Sequence, residues 1–221
     1  MSPEKSRATN PLIEQMAADL QPVRTIKFRD GLILVALAVL ATVLAVELVD
    51  GLWRGAWSGD ASAFFLITNG LLLVLGCASA SSVLNMATPR VGNPHEGPKW
   101  AMAMAAVLPL AAFATLLGHG RAQNFVGAAL DDPYGLTCFG AGLLASMLTA
   151  GALIFWLRRG APVSPTTAGL HIGVASTALG SVAYGLACPI DGVVHLGLWH
   201  AAPVVAGALI GRFALPPLLR W

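Results

Sequence analysis

Cysteine and histidine are the side chains of this sequence with the most chemistry to offer, and they are few: three Cys and five His in 221 residues. Thiolate and imidazole are the donors that soft and borderline metal ions select. A pair of thiols can also close as a disulfide, provided their Cα atoms come within about 7 Å. Cys138 and Cys188 fall at the edges of long apolar stretches, with His119, Asp191, His195 and His200 at similar positions along theirs. Two uses therefore stay open for the pair, metal binding or redox pairing. The plain alternative is that free cysteine acts as a small hydrophobe and that histidines are common at membrane interfaces. Cys77 lies about fourteen residues into a different apolar stretch, roughly 21 Å deep at 1.5 Å per residue. It cannot reach the other two and is expected to serve packing. No nucleophile elbow, phosphate-binding loop or metalloprotease helix motif is present.

What would position the two sulfurs is a membrane. Hydrophobic residues make up 56% of the chain and charged residues only 11%, against roughly 45–50% and about 25% in soluble domains. Apolar blocks such as Gly31 to Val49, interrupted only by Glu47, match a hydrocarbon core about 30 Å thick. The first thirty residues are polar and carry no cleavable leader pattern. The pattern predicts an all-α membrane protein, a six-transmembrane-helix bundle with spans near 31–49, 63–85, 100–118, 136–157, 168–187 and 194–213. It divides into a tail, 1–30, and a transmembrane domain, 31–221.

With six spans, all of the 13 basic residues except Arg54 and Arg121 share one side with both termini. The positive-inside rule makes that side the cytoplasm. Asp50, Asp60, Asp131, Asp132 and Asp191 fall on the other. Cys138 then opens the fourth span and Cys188 closes the fifth, both at the outer face, where disulfides persist. Polar groups inside the spans are sparse: Glu47 can snorkel, and Asn69 and His171 are isolated. That argues against a small transporter, which would show converging ionisable groups or broken helices at mid-membrane. A quinone-coupled thiol-disulfide membrane enzyme would need a second thiol pair, so no enzymatic activity is expected. Gly169 and Gly173, like Gly207 and Gly211, are four apart on one helix face and would allow close helix approach. That glycine is simply frequent in membrane helices is the alternative.

The tail holds one more element. Asn10 is a good N-cap and Pro11 suits the first helical position. At 100° per residue, Leu12, Ile13, Met16, Ala17 and Leu20 share a sector opposite Glu14, Gln15, Ala18 and Asp19, and Pro22 ends the helix. Lipid-surface helices usually carry a basic polar face, and this one is acidic. A protein partner in helix-in-groove mode is favoured, with packing against the chain's own bundle as the alternative.

Four stretches, LIEQMAADLQPVR (12–24), FWLRRGAP (155–162), YGLACPIDG (184–192) and the run from Trp199 and His200 to LLRW (218–221), give the chain a resemblance to the negative regulators of sigma-F, membrane anti-sigma factors of proteobacteria. The resemblance covers the whole chain. It implies a multi-pass protein of the bacterial inner membrane that holds an extracytoplasmic-function sigma factor until envelope, oxidative or heavy-metal stress arrives. It makes Leu12, Ile13, Met16, Ala17, Asp19, Leu20, Pro22, Val23 and Arg24 part of the sigma-binding surface. The basic inner loops around Arg90 and around Arg158 and Arg159 are expected to help clasp that partner. The family's outer cysteines, implied to act in sensing, correspond to Cys138 and Cys188. Many relatives carry a histidine before the second cysteine, where Ala187 stands here, so His195 or His119 would have to stand in as metal ligand. No cofactor is required on this reading. A heavy-metal ion is a candidate signal, the partners are the sigma factor and the bilayer, and no direct contact with nucleic acid is expected.

Overall fold

A computed structural model of the chain describes residues 11–19, 26–87, 98–118, 127, 131–160 and 162–219. All regular structure among them is helical. In hydrocarbon every backbone N–H and C=O must be paired within the segment, which long apolar helices achieve. The element order is α1 (Pro11–Ala18), α2 (Phe28–Val49), α3 (Gly55–Ser58), α4 (Ala63–Met86), α5 (Lys99–Ala105) and α6 (Val107–Gly118). Then follow α7 (Gly135–Ala145), α8 (Met147–Leu157), α9 (Pro165–Gly185), α10 (Val193–His195), a π turn (Leu196–His200), α11 (Ala202–Ala214) and α12 (Pro216–Leu219).

Among the described residues four helices are long and apolar enough to cross a membrane: Phe28–Val49, Ala63–Met86, Gly135–Leu157 and Val193–Ala214. Lys99–Thr115 is a shorter apolar helix. By length and composition this is a multi-pass membrane protein. The expected fifth stretch is also helical, 21 residues long as α9. It is less apolar because Thr166, Thr167, His171, Ser176, Thr177 and Ser181 occupy it.

Local chemistry sets the helix ends and breaks. Ser62 caps α4, its hydroxyl accepting the Phe65 N–H at 3.1 Å. Ser164 caps α9 through the Thr167 N–H, with Pro165 in the first turn. The break at Ala106 comes three residues before Pro109, which has no N–H to give the Ala105 carbonyl. Pro203 deprives the Trp199 carbonyl in the same way, and the chain before it widens into the π turn. Glu47 does not merely snorkel: its carboxylate accepts the Leu52 N–H at 2.5 Å, just beyond the end of α2.

α9 is the buried centre of the bundle, with every residue from His171 to Ser181 buried. Its small residues let neighbouring backbones approach. A Cβ built on Gly173 would meet the Gly207 carbonyl oxygen at 1.8 Å, and one on Gly169 would meet that of Gly211 at 2.2 Å. The two glycine pairs thus face each other across α9 and α11. Gly180 lies against the Ser146 backbone where α7 passes into α8, and Gly76 of α4 receives Leu179. Cys77, by contrast, is exposed on the outward face of α4, so among the described residues it is not the packing residue expected.

Bonds between helix ends show which ends lie together. The Trp53 N–H after α2 donates to the Leu186 carbonyl after α9 at 2.8 Å. Asp191 accepts from both the N–H and the hydroxyl of Ser62 at the start of α4. At the other end Trp156 of α8 donates to the Leu84 carbonyl of α4 at 3.4 Å. There Val83, Leu84, Leu153, Leu157 and Ile172 form the largest apolar cluster.

Replacing Gly173 by Val should destabilise the bundle by about 1–3 kcal/mol or more, because the new side chain meets backbone that cannot move aside. Gly70→Ala, where a Cβ meets nothing within 4 Å, should leave stability unchanged or slightly raised. Thermal unfolding of both variants in detergent, followed by tryptophan fluorescence, tests the contrast. Equal midpoints would show that the α9–α11 contact does not hold the bundle together.

Candidate thiol and imidazole site

Cys138 and Cys188, which the sequence placed at one membrane face, lie side by side. Cys138 sits in the first turn of α7. Cys188 lies in the turn after α9, its N–H reaching the Gly185 carbonyl at 3.3 Å. The sulfurs are 3.8 Å apart and both cysteines are free. His195 joins them, with Nε2 at 3.4 Å from the Cys188 sulfur. Its Nδ1 donates to the Asp132 carboxylate at 2.6 Å. That bond commits Nδ1–H to Asp132, so Nε2 faces the sulfur as a lone pair in the neutral ring and as a donor in the imidazolium.

His200 completes the group. Its ring centroid is 5.3 Å from that of His195 and it stacks on Tyr184. One donor atom from each of Cys138, Cys188, His195 and His200 falls within 4.8 Å of the others, and all four residues are buried. Such a group could hold a metal ion. In sequence His200 was noted for its depth and as part of a resembling stretch, not as a ligand, and Asp132 only as a charge of the outer side. Residues five apart on an α-helix diverge by about 140°, so ordinary periodicity separates His195 from His200. The π turn removes that divergence, and Pro203 was the local hint.

Burial opposes ionisation of a thiol, yet here it is outweighed. The Cys188 thiol is pushed well below its ordinary value of 9.0, first by the hydrogen bond from Cys138, with a further hydrogen bond from His195. One sulfur thus holds a proton that the other, as thiolate, accepts.

The remaining expected site residues lie elsewhere. Leu12, Ile13, Met16, Ala17 and Asp19 are exposed on or just after α1, and no residue of α1 is buried. Among the described residues α1 buries no side chain against the bundle. Arg158 and Arg159 are exposed after α8, with the Arg159 guanidinium 4.6 Å above the Phe155 ring. Leu20, Pro22, Val23, Arg24, Arg90 and His119 lie outside the described residues.

A multi-helix membrane protein with a buried thiol–imidazole group at one end of the bundle is the class that fold and site define. The chain belongs to the negative regulator of sigma F family, whose model matches residues 16–221. The anti-sigma-F factor NrsF of Caulobacter vibrioides (strain NA1000 / CB15N) is 42% identical over 71 residues, covering 32% of this chain and 33% of that protein. The chain thus aligns with about a third of the length of this curated relative. No solved structure matches.

The lowered Cys188 thiol has a pH signature. Between its folded value and 9.0 the unfolded chain binds the extra proton. This group's contribution to stability is therefore complete above the unfolded value and is lost as pH falls through the folded one. In a Cys77→Ala background, the pH midpoint for reaction of Cys188 with a small neutral thiol reagent should lie below the ordinary thiol range. Adding Cys138→Ala should move it upward, since the largest stabilising contact is gone. An unmoved midpoint would contradict the shared-proton arrangement.

Proposed function

We propose that this protein is a membrane anti-sigma factor that holds an extracytoplasmic-function sigma factor against the cytoplasmic face of a bacterial inner membrane. The observation that carries the reading is family membership over nearly the whole chain. It is supported by the exposed apolar face of α1, where Leu12, Ile13 and Met16 are each at least 60% exposed. An eight-residue helix of this kind is marginal alone in water. Burying three such side chains in a partner's groove would supply about 1.5–3 kcal/mol each before ordering terms.

In this reading six helical stretches cross the bilayer, from a tail, 1–30, into a transmembrane domain, 31–221. Both termini, Arg90, Arg158 and Arg159 are cytoplasmic, in keeping with the one-sided distribution of basic residues. Leu12, Ile13, Met16, Ala17, Asp19, Leu20, Pro22, Val23 and Arg24 make the principal contact with the sigma factor. Cys138 and Cys188, with His195, face the opposite compartment and receive the stress signal, an oxidant or a heavy-metal ion. The signal biases helix packing and weakens the cytoplasmic contact, and by linkage the bound sigma factor must alter affinity at the cysteine site equally.

The sigma factor should co-purify with the full-length protein, and Leu12→Asp with Met16→Asp should reduce its recovery at least tenfold while leaving the membrane domain's unfolding midpoint in place. Undiminished recovery with the double variant would remove the tail as the contact. Failure of any extracytoplasmic-function sigma factor of the same cell to co-purify with the unaltered protein would remove the function.

A further inference from the structure

The distances between the four donors carry more than proximity. A zinc-class ion takes sulfur at about 2.3 Å and imidazole nitrogen at about 2.0–2.1 Å in a tetrahedron, so its sulfur–sulfur edge is about 3.8 Å and its sulfur–nitrogen edge about 3.6 Å. The Cys138–Cys188 edge is 3.8 Å and the Cys188–His195 edge is 3.4 Å. A disulfide would instead need the sulfurs at about 2.05 Å. The spacing accommodates two ligands on one ion, as it also does a hydrogen-bonded thiol pair.

His200 supplies the independent observation. Its ring is 2% exposed, and Nε2 is buried without a hydrogen-bond partner. A buried ring nitrogen left unbonded is expensive unless something accepts its lone pair. The π turn is what brings this ring to the site. The i→i+5 bonding of such a turn sets residues five apart on one side of the helix, and turns of this kind concentrate at functional sites.

Asp132 then has a defined place. A ligating histidine normally passes its other ring N–H to a carboxylate, which fixes the ring and raises its basicity. The 2.6 Å bond from His195 Nδ1 to Asp132 is such a contact. It ties the segment before α7 to the start of the last long helix.

We propose that Cys138, Cys188, His195 and His200 are the four ligands of a closed tetrahedral site for one thiophilic, zinc-class divalent cation, with Asp132 as the positioning residue for His195. The assignment deepens the reading of these thiols as the sensing site and adds the ligands that sequence periodicity hides. With all four positions filled by protein, the ion has no open coordination site for catalysis. It is a clamp across α7, the turn after α9 and the π turn.

Cobalt(II) added to the purified full-length protein in detergent is the probe. One ion per chain should bind, with the intense visible bands of tetrahedral cobalt and a sulfur-to-metal charge-transfer band, and zinc or cadmium should displace it. His200→Ala should weaken cobalt binding at least tenfold. Asp132→Asn should weaken it about 10- to 100-fold while keeping the tetrahedral bands. His200→Cys guards against a variant that does not fold, because a third sulfur ligand should strengthen the charge-transfer band. Weak octahedral bands, wild-type affinity in folded His200→Ala, or an unchanged charge-transfer band in His200→Cys would each overturn the site. Sigma-factor recovery, measured on the same preparations, separates the two readings. Recovery without cobalt binding removes the metal centre alone. Tetrahedral cobalt without recovery leaves the centre standing and removes the anti-sigma function.

Discussion

Helices already dissolved in hydrocarbon gain little from burying apolar surface against each other, so the bundle has to be held by closeness of fit. α9 is where that fit is achieved. Its glycines set backbone against backbone at Gly207 and Gly211 of α11 and at Ser146 between α7 and α8. Its hydroxyl residues keep their bonds local, as when Thr177 donates to the Gly173 carbonyl at 2.7 Å. The other long helices take their places around this one, and the placement of the thiol–imidazole group follows, because Cys188 leaves α9 at the end where Cys138 enters α7.

Much of this was legible in residue order. The apolar blocks of α2, α4, α7–α8 and the last helix could be read because hydrocarbon thickness imposes a length. Pro11 and the sector of Leu12, Ile13 and Met16 announced α1. The same length rule set Cys138 and Cys188 at one depth, and the packing of α7 against α9, which depth does not predict, brings them together. The central role of α9 was harder to see, since small and hydroxyl side chains lower its apolar character while serving close packing. Cys77 was misjudged because depth does not reveal which face of a helix meets lipid.

The rest of the site was hidden for two separate physical reasons. His200 is out of phase with His195 on any regular α-helix, and only the widened turn before Pro203 realigns the rings. Asp132 lies in an irregular segment, where no periodicity predicts which side chain it will meet. Its contact with His195 brings the start of α7 and α10 together across 63 residues of sequence. Irregular backbone at the end of a membrane bundle was therefore the part that spacing could not reach, and it is the part that assembles the donors.

The short stretch that bears Cys188 is also fastened to two neighbours. Its Leu186 carbonyl is bonded to Trp53 beyond α2, and its Asp191 holds Ser62, the cap of α4. Any shift of that stretch strains both attachments at once and disturbs the first turn of α4 directly. One short turn is thus the common anchorage of α2, α4 and α9, as a wheel hub joins its spokes, and a displacement there would load all three together.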